Sequence, residues 1–349
     1  MDSGTVPAPM VVRVGLIGAG KMGVAHFAIA NSHPDVMFVA VCDTTGFVLS
    51  LLKKHAGVET YKDYREMMDF ARLDAVIIAT PTPTHFACVR YALDKNLHVF
   101  VERPLTLSPN ESRALSEMAI QRKVVNQVGF SARFIGTFLE ARRLVRAGAI
   151  GTVSQLRGTA FGHVVTREQG MTWRSKKAEG GGCLHDYGVQ IIDLMNFVVG
   201  PPTKVTGAKL QSIFSKDVED AVYAILHYPN GSTGVVETNW SDESMHETTT
   251  TLAVMGTKGK ITVDRRELEL HLNEGAAFED YHAGWNVRGM TRLTKPVRYY
   301  LRGEEFSAQI DAFIDAIKSA NTAHEPSFAS AHETDHIVDL IIQSNQAKA

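Results

Sequence analysis

Cysteine is scarce in this chain: three residues in 349, Cys42, Cys88 and Cys183, with no C-x-x-C spacing among them. Three thiols cannot all pair, which argues against a small disulfide-stapled domain; reduced, buried thiols in a cytoplasmic protein are expected, and no metal site. A surplus of charge of one sign is also missing. Lys+Arg 36 against Asp+Glu 38 gives a net charge of −2, without the basic excess that nucleic acid or an anionic membrane calls for. Long hydrophobic runs are lacking. The apolar stretches, such as residues 75–79, are strand-length, and none approaches the roughly 18 residues of a membrane span. Residues 1–10 hold an acid and two prolines but no basic segment leading into an apolar one, so a flexible tail is expected there and not a secretory signal. Repeats and low-complexity tracts are absent.

What is present is ordinary for a globular enzyme. A hydrophobic fraction of 44% and a charged fraction of 21% exclude a disordered or fibrous chain, and 28 glycines with 8% aromatics suit a mixed α/β protein. The length fits two domains of about 100–200 residues each. The first part alternates short β-rich runs (11–17, 37–42, 75–79, 99–102, 124–130) with helical stretches (22–32, 47–56, 64–71, 87–95, 109–122). Apolar strands alternating with helices predict a parallel, doubly wound sheet. One helix start is marked by Ser108-Pro109-Asn110-Glu111, with Ser at the N-cap, Pro at N1 and Glu at N3. After about residue 150 the rhythm changes. A run Gly180-Gly181-Gly182 opens a helix over 183–198, and hairpins are predicted around Pro229-Asn230-Gly231 and Gly256-Thr257-Lys258-Gly259. Helices over 304–320 and 334–346 close an α+β region.

Gly18-Ala19-Gly20-Lys21-Met22-Gly23 follows the first strand and opens the first helix. In this G-x-G-x-x-G pattern the first glycine makes the turn, the second lets backbone approach a pyrophosphate, and the third packs helix on strand; the helix N-terminus supplies N–H donors. Asp43 ends the next strand, 20 residues beyond Gly23. A carboxylate there suits ribose hydroxyls and repels a 2′-phosphate, which favours NAD over NADP, although Thr44 and Thr45 could tolerate some phosphate. Thr80-Pro81-Thr82-Pro83-Thr84-His85 follows the strand at 75–79 on the edge where open α/β sheets bind ligands. Thr80, Pro81, Thr82 and His85 are therefore candidate cofactor residues with Gly18, Gly20, Lys21, Met22, Gly23 and Asp43; either a rigid turn or a nicotinamide-side loop accounts for them.

Together with Val101-Glu102-Arg103-Pro104, Gly129-Phe130-Ser131-Ala132-Arg133-Phe134, Trp173-Arg174, residues 180–193 and the 256–259 hairpin, these motifs make the chain resemble the Gfo/Idh/MocA family along nearly its whole length. The resemblance implies a Rossmann domain (11–130), preceded by the tail at 1–10. A substrate-binding and oligomerisation α/β domain (131–349), with an open, mostly antiparallel sheet, would follow. It also implies assembly as a homodimer or homotetramer through that sheet, Glu102 at the cofactor, and a small-molecule substrate such as a sugar or cyclitol at the domain junction. Two positions depart from the family pattern. The usual Glu-Lys-Pro lysine is Arg103, and in Asp186-Tyr187-Gly188-Val189-Gln190-Ile191-Ile192-Asp193 the usual histidine base is Gln190. Arginine stays protonated and an amide does not titrate, so neither can take a proton.

On an ideal helix Cys183, Asp186, Gln190 and Asp193 share one face, leaving Asp186 as the best remaining proton acceptor. His185 and Tyr187 point aside. Arg103, Asp186 and Gln190 are thus the expected catalytic residues, and Trp173 and Arg174 join them as substrate-binding candidates. Lys176 and Lys177 either reach in or lie in solvent. Tyr281, His282 and Trp285 either wall a ligand or pack at an interface, and His163 is a weaker ligand candidate. The expected function is an NAD-dependent oxidoreductase moving a hydride to or from a sugar, cyclitol or sugar-acid-like substrate. Three alternatives stay open: reduction of an imine or conjugated bond, a lyase or glycosidase that recycles its NAD, and a non-catalytic nucleotide-binding regulator.

Overall fold

A computed structural model of the protein describes residues 11–167 and 172–347; the expected flexible tail at 1–10 lies outside the described residues. In chain order the first elements are β1 (Val12–Ile17), α1 (Lys21–Asn31), β2 (Val36–Cys42), α2 (Gly46–Ala56), β3 (Glu59–Tyr61), α3 (Tyr64–Phe70), β4 (Ala75–Ile78), α4 (His85–Asp94), β5 (His98–Val101), α5 (Pro109–Arg122) and β6 (Asn126–Val128). They continue with α6 (Gly136–Arg146), β7 (Val153–Phe161), α7 (Val189–Val198), β8 (Lys204–Gln211), β9 (Ala221–His227), β10 (Thr233–Asn239), β11 (Thr249–Gly256), β12 (Gly259–Val263), β13 (Glu267–Leu272), β14 (Gly284–Gly289), α8 (Met290–Leu293), α9 (Glu304–Lys318) and α10 (Phe328–Gln346).

The chain forms two compact units. The first comprises residues 11–102, Ala114–Gly129 and Val297–Phe328. Its six strands lie in the order β3-β2-β1-β4-β5-β6 and every pair is parallel, the doubly wound sheet expected from the alternating pattern. The central strand β4 is buried throughout, as its unbroken apolar run requires. Helix α9 completes this unit. Phe306, Ile310, Phe313, Ile314 and Ile317 recur at helical spacing. Ile310 and Phe313 are fully buried in one cluster with Val12, Val14 and Phe100, and the rings of Phe313 and Phe100 lie 6.0 Å apart. Each such side chain contributes about 1.5–3 kcal/mol by burial. The contiguous division at residue 130 is thereby corrected. Residues 297–328 return to the first unit, because their apolar stripe is part of its core, and Arg103–Arg113 belong to the second.

The second unit, Arg103–Arg113, Phe130–Pro296 and 329–347, is built on an eight-stranded sheet ordered β14-β13-β12-β11-β7-β10-β9-β8. Only the β7–β10 pair is parallel; the other pairs are antiparallel. Both predicted hairpins are present, and Gly231 takes the positive φ of +82° that its turn needs. Helix α7 lies so close to β7 that a Cβ at Gly158 would sit 2.6 Å from the Met195 sulfur. The helix predicted over 183–198 begins with a π turn at Leu184–Gly188 before settling into α7, so its first residues depart from the ideal face assignment.

Candidate functional site

The glycine turn in the first unit has the geometry its sequence predicts. Gly18 adopts φ +90°, and a Cβ there would lie 2.6 Å from the Ala79 carbonyl oxygen. A Cβ at Gly23 would sit 1.8 Å from the Gly18 carbonyl, so only glycine lets α1 approach β1 this closely. Gly20 is different. Among the described residues nothing lies within 4 Å of its would-be Cβ, it is the N-cap of α1, and no side chain caps the helix there. Open space therefore faces uncapped N–H groups at the positive end of the helix, with Lys21 exposed and Met22 half-buried beside them. Asp43 fastens the turn: its Oδ2 accepts from the Ala19 N–H at 2.6 Å and its Oδ1 from the Thr45 N–H at 2.7 Å. These residues fit the pyrophosphate and ribose of a dinucleotide.

The Thr80–His85 segment is a 3₁₀ turn knotted by its own side chains. Thr84 Oγ1 donates to the Pro81 carbonyl at 2.8 Å and lies 2.7 Å from the Thr80 hydroxyl. His85 is buried, with Nε2 2.9 Å from the Thr80 carbonyl, so its ring braces the loop from behind. Glu102, at the end of β5, lies 2.6 Å from Nε2 of the fully buried His26 of α1, and Gly129 leaves room for its carboxylate.

In the second unit the predicted residues meet around a cavity of about 320 Å³ lined by Arg103, Arg174, Asp186, Tyr187, Gln190 and Arg265, with Thr248 and Thr250 adding hydroxyls and Ile135, Phe138 and Val164 an apolar wall. Asp186 is nearly buried and holds two guanidinium groups. The Arg174 Nε donates to its Oδ2 at 3.0 Å, Arg103 Nη2 lies 3.5 Å from its Oδ1, and Arg103 Nη1 donates to its backbone carbonyl at 2.8 Å. Arg174 also stacks over Trp173 at 4.6 Å. The glycine run explains this placement. A Cβ at Gly181 would strike the Arg174 carbonyl at 2.3 Å, and one at Gly182 would strike the Glu219 carboxylate at 2.3 Å. That Glu219 carboxylate accepts the Leu184 N–H at 2.9 Å and so fixes the start of the π turn. Gln190 is half-buried, and among the described residues its amide has no hydrogen-bond partner.

The π turn redistributes the residues that an ideal helix would have aligned. Asp193 turns inward to a buried pair with Arg133, whose Nε donates to Oδ2 at 2.8 Å and whose Nη2 donates to Oδ1. Cys183 is buried, its thiol donating to Thr238 Oγ1, and burial pushes its pKa up. Tyr187, expected to point aside, lines the cavity instead; its hydroxyl is 2.8 Å from Thr248 Oγ1, and burial raises its pKa. The extra residue of an i→i+5 turn shifts the phase of the helix, and no sequence period announces it. His185 faces a separate small cavity with Asp335, and burial, aided by Lys177, lowers its pKa to about 4. Lys176 pairs with Glu179, and Lys177, His163 and His282 are exposed. Tyr281 is buried and donates to Glu140, while Trp285 stands on β14 beside His271; neither lines the cavity. Arg265, Thr248 and Thr250 were not singled out by the sequence, because their loops and strands carry no motif.

Residues 12–130 match the oxidoreductase family with an NAD-binding Rossmann fold, and residues 138–262 match the GFO/IDH/MocA C-terminal domain. The scyllo-inositol 2-dehydrogenase (NAD(+)) of Bacillus subtilis is 30% identical over 77% of this chain and 79% of its own length. The chain belongs to the Gfo/Idh/MocA family. The rhizopine catabolism protein MocA of Rhizobium meliloti is a second relative at 30% identity, over 64% of this chain and 70% of its own. Among solved Gfo/Idh/MocA-like folds, levoglucosan dehydrogenase in complex with NADH and levoglucosan superposes with a TM-score of 0.85 at 23% identity, covering 97% of this chain and 98% of that one. As a Gfo/Idh/MocA protein the chain is an NAD-binding oxidoreductase of the dehydrogenase type. Among the described residues no helix is long and apolar enough to cross a membrane.

Proposed function

We propose that this chain is an NAD-dependent dehydrogenase or reductase acting on a sugar, cyclitol or sugar-acid-like compound, with the dinucleotide held by the glycine turn and the substrate by the cavity of the second unit. The observation that carries this reading is the cavity itself, which gathers Arg103, Arg174 and the helical pair Asp186 and Gln190 from three separate segments around a volume that suits a monosaccharide. The relatives support it, since one acts on scyllo-inositol and a structural neighbour holds levoglucosan. NAD is preferred over NADP because the Asp43 carboxylate, just after β2, would repel a 2′-phosphate. When bound, the nicotinamide supplies or accepts the hydride.

The chain's own residues orient and stabilise. Arg103, tied to Asp186 at the backbone and the carboxylate, presents a permanent positive charge to the oxygen that becomes or ceases to be an alkoxide. Gln190 orients a substrate hydroxyl through its amide. Asp186, first expected as the proton acceptor, has guanidinium groups on both oxygens, so its primary work is to hold Arg103 and Arg174 in place. One arrangement favours the reducing direction. The Tyr187 phenol keeps its proton because burial raises its pKa, and Thr248 orients it, so it can donate to a developing alkoxide or amide nitrogen.

The test follows nicotinamide absorbance with NAD plus a panel of sugars, cyclitols and sugar acids, then with NADH plus the matching ketones and imines. Net redox change is expected on at least one polyol-type substrate. Arg103→Ala should lower kcat/KM by about 10²–10³ with nucleotide affinity retained. Product formed without net NADH would move the reading to a recycled cofactor. Silence with nucleotide bound would move it to a regulator.

A further inference from the structure

The strand order of the first sheet assigns each strand end a part of a bound dinucleotide. In the order β3-β2-β1-β4-β5-β6 the glycine turn follows β1, and Asp43 follows β2 on one side of it. With the pyrophosphate at the turn and the adenosine ribose at Asp43, the other half of the molecule runs the opposite way, over the ends of β4 and β5. Glu102 follows β5 on that edge. Its backbone is fixed on both sides. The Glu102 N–H donates to the Ile78 carbonyl of β4 at 2.9 Å, and the Gly129 N–H, just after β6, donates to the Val101 carbonyl at 2.8 Å. A Cβ at Gly129 would lie 3.0 Å from the Glu102 carboxylate.

The Glu102 side chain is held by a histidine from the helix that starts at the glycine turn. His26 of α1 is fully buried, with Nε2 2.6 Å from Glu102 Oε1. A carboxylate only accepts, so Nε2 carries the hydrogen and donates it. The imidazole meets the Phe100 ring edge-on at 5.0 Å, and its Nδ1 has no hydrogen-bond partner among the described residues. As core filling this ring is a poor choice, since an apolar side chain would occupy the site without leaving a buried nitrogen unsatisfied. What the imidazole gains in return is its bond to Glu102. The Glu102 side chain is itself 18% exposed, so the pair has one end sealed in the core and one end open to a ligand.

We propose that His26 is a positioning residue for the cofactor: it holds the Glu102 carboxylate to accept from the hydroxyls of the nicotinamide ribose. Affinity for that half of the dinucleotide then depends on a side chain buried beneath the site. This deepens the NAD reading and rests on it. The glycine turn holds the pyrophosphate through backbone N–H groups, which need neither His26 nor Glu102. The two halves of the cofactor are therefore separable by experiment.

The experiment titrates the full chain calorimetrically with NADH and with ADP, which keeps the adenosine and pyrophosphate and lacks the nicotinamide half. His26→Leu should weaken NADH about tenfold or more while changing ADP less than about twofold. His26→Gln, whose amide nitrogen can stand near the place of Nε2, should recover part of the loss. Glu102→Ala should reproduce the loss, and adding His26→Leu to it should cost little more, because the two residues act through one bond. ADP affinity reports that the turn is folded in each variant, and Glu102→Ala tests the same bond should His26→Leu fail to fold. Equal loss of NADH and ADP in His26→Leu makes the histidine a packing residue and overturns the proposal. Losses that simply add in the double variant also overturn it. A parent chain that binds NADH, with variants that bind it equally well, overturns the proposal and leaves the NAD reading standing. A parent chain that binds neither nucleotide overturns the NAD reading, and the proposal falls with it.

Discussion

The glycine turn of the first unit and the cavity of the second are built in opposite ways, and the proposed function gives each of them a ligand to hold. In the turn, backbone does the work: three glycines within six residues, one carboxylate and a helix start present N–H groups to open space. In the cavity, side chains do it, and they come from positions as far apart as Arg103 and Arg265. A backbone site tolerates little change in its glycines and is indifferent to most side chains around it. A side-chain site can change its chemistry one residue at a time while the fold is kept.

This contrast can be broken first at its sharpest point. Gly23→Ala places a methyl group on the Gly18 carbonyl and should cost about 3 kcal/mol or more of stability together with nucleotide binding, measured by denaturation and by dinucleotide titration. Gly20→Ala, which meets nothing, should cost under about 1 kcal/mol yet weaken the dinucleotide about tenfold or more. If both variants lose stability alike, the turn is structural and the difference between the two glycines means nothing. The side-chain region has its own brace. Asp193→Ala removes the carboxylate from the buried Arg133 guanidinium, and urea denaturation should show a loss of about 3–5 kcal/mol; a loss below about 1 kcal/mol would show that the pair is not a brace.

A smaller effect lies under the π turn. His185 has a folded pKa of about 4 against 6.5 for the ordinary imidazole, because burial disfavours its charged form. The unfolded chain therefore takes up this proton first as pH falls. The stability it contributes is complete above pH 6.5, declines between 6.5 and 4, and amounts to roughly 3 kcal/mol. Comparing His185→Asn with the parent chain by urea denaturation at pH 7 and pH 4.5 isolates the contribution. The variant should lose less stability over that interval, and identical losses would remove His185 from the acid response.

The same contrast explains what could be read in the sequence. The backbone site was legible because its determinants are contiguous: Gly18, Gly20 and Gly23 sit between a β-rich run and a helix, and Asp43 ends the following strand. The parallel order of the first sheet and both hairpins followed from equally local signals. Asp186 and Gln190 shared a face by helical spacing, but Arg103 could be joined to them only through the family resemblance. Tyr187 and Asp193 exchanged places because a π turn changes the phase of a helix without changing its apolar pattern. Arg265 was invisible, since one arginine in a turn looks like any solvated charge until the fold places it. The return of residues 297–328 was missed for another reason: an amphipathic helix declares that it has a core to join, and not which one.

That return has a consequence for how the molecule comes into being. Ile310, Phe313 and Ile314 complete a cluster that begins at Val12, so the first unit to be synthesised is the one whose core must wait for nearly the whole chain. The apolar side chains around Phe100 have no α9 against them until the ribosome has made residue 318. At translation speeds of about 5–20 residues per second this amounts to roughly ten seconds or more. A nascent chain of this kind has reason to engage a chaperone at its beginning rather than at its end.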